Sequence, residues 1–121
     1  MANYKNLDVW KVSMQFVKEV YLLIKKFPKD ELYGLSSQCK RAAVSVPANI
    51  AEGLGRQHKK DTIQFLHISR GSIYELETLL HIAVMVEIIN EDDFIKLNPL
   101  LEKTLQLLNG FINYNQKADL K

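Results

Sequence analysis

The chain has 121 residues, 47% hydrophobic and 25% charged, with a formal net charge of +2; this excludes a disordered or low-complexity polypeptide and predicts a single domain over 1–121 with its own core. One cysteine, Cys39, excludes an internal disulfide and a cysteine-rich zinc site and suits a reducing compartment. "MANYKNLDVWK" lacks the apolar core of a signal peptide and no apolar run approaches ~18 residues, so a cytoplasmic protein with no membrane span is expected.

Four helical segments follow in order. Val9, Phe16, Val20, Leu23 and Phe27 recur at helical spacing, with Trp10, Val17 and Ile24 beside them, which predicts a helix over about 7–27 stopped by Pro28. The second helix covers about 35–54 and ends at the glycines of "GLGR". The third covers about 61–88, with Ile63, Leu66, Ile73, Leu76, Leu80, Ala83 and Val84 on its main face. Asn90 and the acids after it favour a fresh N-terminus near Glu91. The fourth helix then covers about 91–114, carrying Phe94, Leu97, Leu101, Leu105, Leu108 and Ile112; Pro99 should distort or interrupt it one turn in, and "NQKADLK" should fray. No strand pattern competes, so the fold class is all-α. Helices of about 30 Å joined by short loops most simply form an antiparallel up-down four-helix bundle.

The second helix raises a question of its own. Gln38, Arg41, Ser45, Asn49, Glu52 and Arg56 fall on one narrow strip, a quarter-turn from the apolar row of Cys39, Ala43, Val46 and Ile50. A solvent face usually carries long Lys and Glu; this strip carries short polar residues among Ala, Val and Gly, which permit close approach of another backbone. Gln38, Arg41, Ser45, Asn49 and Glu52 are therefore read as a structural polar network at a helix or subunit interface, where buried polar groups must be paired. Pro47 should kink this helix and free the carbonyl of Ala43.

"LDVWKVS" at 7–13, "FPKDELYGLSSQCKRAAVSVPANIAEG" at 27–53 and "FLHISRGSIYELETLLHIA" at 65–83 together resemble the four-helix-bundle proteins encoded in intervening sequences of bacterial 23S ribosomal RNA genes. That resemblance implies a small subunit assembling into a ring-like homopentamer. It also implies a fold similar to the accessory variability factor of diversity-generating retroelements, which works with a reverse transcriptase and nucleic acid. It brings no catalytic residues.

On the third helix His67, Tyr74 and His81 repeat every seven residues, with Gly71, Thr78 and Met85 interleaved and Ile68, Ile82 and Val86 flanking. A lone subunit would expose this row, which makes His67, Tyr74, His81 and Met85 candidates for an oligomer interface. The same histidines do not make a metal site, since His67 and His81 are separated by about 21 Å of helix. "ETLLH" is not the Glu-x-x-His motif of di-iron bundles. Gly53 and Gly55 follow a helix rather than a strand, so they are no phosphate cradle. A non-enzyme is expected, with no catalytic residue, metal or cofactor.

Charge is uneven: residues 1–60 hold eleven Lys/Arg against five Asp/Glu (+6), and residues 61–121 hold five against nine (−4). Three basic groups stand out: Arg56, His58, Lys59 and Lys60 in "GRQHKK"; Lys25, Lys26 and Lys29 in "KKFPK"; and Lys40 with Arg41. Repeated in a symmetric ring, such loops would form a multivalent rim for phosphates, so weak, non-specific, salt-sensitive binding of RNA or DNA is expected. No aromatic-rich platform for single strands stands out in the sequence. The functional expectation is an RNA-associated accessory protein; the alternative is a scaffold whose ring contacts another protein with no direct nucleic-acid contact.

Overall fold

The structure, a computed structural model, describes residues 3–31 and 33–119. The last two residues of "NQKADLK", and with them the full extent 1–121, fall outside these. The described residues form four helices, α1 (Asp8–Ile24), α2 (Leu35–Leu54), α3 (Lys59–Met85) and α4 (Glu91–Asp119), with short 3-10 turns at Tyr4–Asn6 and Lys29–Glu31. The described residues contain no strand.

The core is the set of apolar stripes the periodicity marks. Phe16 and Val20 from α1, Val46 and Ile50 from α2, Leu66, Ile73, Leu76 and Leu80 from α3, and Leu101, Leu108 and Ile112 from α4 are fully buried. Contacts between helices keep a regular order. Thr62, Ser69 and Ser72 of α3 meet Gly53, Val46 and Ser45 of α2, and Lys59, Arg70 and His81 of α3 meet Asn115, Asn109 and Phe94 of α4. Along both seams residue numbers rise on one helix as they fall on the other.

The α2–α3 seam is the tightest. The Thr62 hydroxyl donates to the Gly53 carbonyl at 2.7 Å, and the buried Ser69 hydroxyl donates to the Val46 carbonyl at 2.8 Å. A side chain at Gly53 would put its Cβ 3.0 Å from the Phe65 Cβ and 3.1 Å from the Thr62 carbonyl oxygen, so the glycine is what lets the two backbones meet. Within α2, Pro47 is buried and does not divide the helix.

Several boundaries differ from expectation. α1 stops at Ile24 rather than 27, because the Lys26 and Phe27 amides bond to the Leu23 and Ile24 carbonyls in tightened turns that fold Phe27 back into the core. α3 begins two residues early, at Lys59, and ends at Met85 rather than 88. There Glu87 takes a left-handed conformation (φ 65°), the Glu87 amide bonds to the Val84 carbonyl, and the Ile88 amide bonds to the Ala83 carbonyl. This is a Schellman closure with glutamate where glycine is usual. α4 is uninterrupted at Pro99 and extends to Asp119 rather than 114. Pro99 and Ile95 are both exposed, which puts the carbonyl deprived of its helical partner on the side open to water. Among the described residues no helix is long and apolar enough to cross a membrane.

Candidate nucleic-acid interface

The basic residues marked in the sequence do not form one patch. Lys25, Lys26 and Lys29 lie at one end of α2 and Arg56, His58, Lys59 and Lys60 at the other, and a 20-residue helix separates the groups by about 30 Å. The first end is mainly acidic, since Asp30, Glu31, Glu87, Glu91, Asp92 and Asp93 gather with those three lysines around the α1–α2 and α3–α4 connections. Lys26 is committed there: its ammonium lies 2.7 Å from Asp93 Oδ1. The same Asp93 caps α4 with Asn90, the Asn90 side chain accepting from the Asp93 amide at 2.9 Å. The hydrogen bond from Lys26 is the main cause holding the Asp93 carboxyl below its ordinary range. Lys40 sits in the second turn of α2 with its ammonium 5.4 Å from the Tyr21 ring centre.

The opposite end is basic. Here the start of α1, the α2–α3 connection and the end of α4 bring together Lys5, Arg56, Lys59, Lys60 and Lys117, against Asp8, Glu52 and Asp61. Lys59 is anchored, its ammonium donating at 2.9 Å to the side-chain oxygen of the buried Asn115, whose amide in turn donates to the Phe111 carbonyl. Arg56 pairs with Glu52 at 2.6 Å and lies 4.6 Å over the Phe65 ring. His58 and Lys60 are exposed, and so are Lys5 and Lys117, which sequence reasoning did not connect with the loop. Their only signal was position: Lys5 precedes the first helix and Lys117 lies in the last turn of the fourth, and this topology returns both to one end.

The polar strip of α2 divides into three parts. Asn49 Nδ2 donates to the Ser45 carbonyl (2.8 Å) and hydroxyl (2.7 Å), and Ser45 meets Ser72 of α3 at 2.9 Å, a network inside the subunit. Gln38 and Arg41 are exposed along an open groove of about 540 Å³ shared with Ser45, Ser72 and Glu75. Glu52 turns away to Arg56. The four α3 candidates His67, Tyr74, His81 and Met85 are all exposed, Met85 at 74%, beside exposed Ile68, Ile82 and Val86. The His81 ring leans on Phe94 of α4, with 4.5 Å between centres. Among the described residues, no three His, Cys, Asp or Glu side chains converge as a metal would need.

No curated protein matches the chain. Among solved structures, a protein of unknown function from the S23 ribosomal protein family of Bacteroides thetaiotaomicron VPI-5482 is similar in fold, with a TM-score of 0.78 and 26% identity over 86% of this chain and 97% of that one. Residues 5–110, nearly the whole bundle, match the model of the 23S rRNA-intervening sequence proteins, and the chain belongs to that family.

Proposed function

We propose that the protein is a non-enzymatic accessory protein of the cytoplasm that assembles from antiparallel up-down bundles into a homo-oligomer and holds RNA or DNA at its basic end. The opposed order of contacts along the α2–α3 and α3–α4 seams supports the antiparallel arrangement. Exposed Tyr74, Met85, Ile68, Ile82 and Val86 on one side of α3 support assembly, since a row of that size is a normal association surface; five subunits is what the family resemblance implies. The non-enzymatic reading rests on the histidines: His67 and His81 stand on the outside of α3 and His58 in the preceding connection, so they do not converge.

The observation that carries nucleic-acid binding is the meeting of Lys5, Arg56, Lys59, Lys60 and Lys117 at one end of the bundle, which symmetry would repeat in every subunit. Contacts of this kind neutralise phosphates without reading bases, so affinity should fall steeply with salt. The test is Arg56→Glu with Lys60→Glu, leaving Lys59 on Asn115. Anisotropy of a labelled oligonucleotide at low salt should show binding to the parent protein and at least a tenfold loss in the double variant, with helicity and solution mass unchanged. A parent protein that binds no oligonucleotide at low salt refutes the reading and leaves a protein-binding scaffold.

A further inference from the structure

We propose that the groove between the start of α1 and the C-terminal half of α4 seats an unpaired base of a single-stranded nucleic acid, stacked on Tyr114. This rests on the nucleic-acid reading above and narrows it to a substrate class. The groove, about 340 Å³, is walled by Leu7 and Asp8 on one side and by Leu107, Gly110, Phe111 and Tyr114 on the other. That volume is at the small end of the ~300–1,000 Å³ usual for small-molecule sites. Residues 107, 110, 111 and 114 fall on one face of α4 by helical spacing, so the aromatic pair and the glycine share a wall.

Three features of that wall point to a flat aromatic guest. The Phe111 and Tyr114 rings are already stacked, 6.4 Å between centres and 9° from parallel, and Tyr114 is 65% exposed, so the stack has an open side. Every nucleobase offers a π-face to such a surface. Gly110 is an exposed glycine inside a helix, a choice that costs about 1 kcal/mol against alanine. Among the described residues no close packing requires it, because a Cβ there would meet no atom within 4 Å. The space it leaves lies in the lining of the groove.

The surrounding charge identifies the guest further. Lys11 lies one turn along α1 from Leu7 and Asp8, Lys103 one turn before Leu107, and Lys117 one turn past Tyr114; all three are exposed, and none forms an ion pair among the described residues. They suit the phosphates on either side of a seated base. A two-fold pairing of this face with itself is disfavoured, since it would bring lysines against lysines. Asp8 is the one acidic wall residue; its carboxylate can accept from an exocyclic amino group, as acidic side chains do with cytosine. In a duplex the base faces are covered by their neighbours, so only an unpaired base can use the ring.

The test compares labelled single-stranded oligocytidine and a duplex of the same length, by anisotropy at low salt. The parent protein should prefer the single strand. Tyr114→Ala should weaken single-strand binding about tenfold and leave duplex binding unchanged, and Tyr114→Trp should retain it. Gly110→Leu, whose Cβ meets no atom within 4 Å and whose longer side chain occupies the groove, should act like Tyr114→Ala. Single-strand binding that survives both Tyr114→Ala and Gly110→Leu, while Arg56→Glu/Lys60→Glu still abolishes it, overturns the stacking site and leaves the basic end standing. A change of solution mass in Tyr114→Ala without loss of single-strand affinity also overturns it, by making the groove a subunit contact. A parent protein that binds neither oligonucleotide removes both readings together.

Discussion

Asp93 holds two connections at once, the N-terminus of α4 through Asn90 and the C-terminal end of α1 through Lys26. Its folded pKa is lowered, first by the hydrogen bond from Lys26 and then by the Asn90 amide, partly opposed by burial. The sign follows from linkage. The stabilisation is complete above the unfolded carboxylate value of ~3.9 and is lost as pH falls through the lower folded value. Calorimetry of Asp93→Asn against the parent should therefore show a melting gap at pH 7 that narrows progressively below about pH 4. A gap independent of pH would mean that the carboxylate charge contributes nothing. The cap was legible, because Asn90 followed by acids is a local signal. The ion pair was not, because its partners are 67 residues apart and meet only when the bundle closes.

The helices themselves were largely legible, and their ends were legible where punctuation is chemical. Gly34 and Gly55 bracket α2, and its predicted span of 35–54 matches the structure. α3 shows the opposite case. "VMVEIIN" is apolar enough to read as helix to 88, yet the helix closes at Met85 through the 6→1 and 5→2 bonds of its last turn. Glu87 there adopts a left-handed conformation that costs a residue with a Cβ about 1–2 kcal/mol. Replacing it with glycine should raise stability by about 0.5–1 kcal/mol after the entropy glycine adds to the unfolded chain. Urea unfolding checks this as a higher midpoint with an unchanged slope; a lower midpoint would show that the Glu87 side chain stabilises the turn. Pro99 does not interrupt α4, for a related reason. A proline interrupts a helix when its ring and its orphaned carbonyl have nowhere to go, and on an exposed face that demand is small.

Across the whole molecule, the sequence divides charge between two halves, whereas the fold divides it between two ends. The α1–α2 loop joins the acidic α3–α4 loop, and the α2–α3 loop joins both termini of the bundle. This pairing of connections is why two basic loops that look alike in sequence have different neighbours. It also sets two aromatic pairs, Tyr4 with Trp10 at the start of α1 and Phe111 with Tyr114 near the end of α4, toward the basic end. An aromatic surface was therefore invisible before the helices were placed.

Cys39 lies in the middle of the core with no exposure, and burial, aided by nearby Glu75, pushes its thiol up to about 12. Such a sulfur is closed to alkylating reagents for as long as the bundle stays shut, so reaction reports opening rather than chemistry. Pulsed labelling of the native protein should give one slow modification rate that follows global unfolding as urea is raised, turning a side chain with no evident chemical role into a built-in clock for the bundle. A modification rate unaffected by urea would instead reveal a local fluctuation of α2.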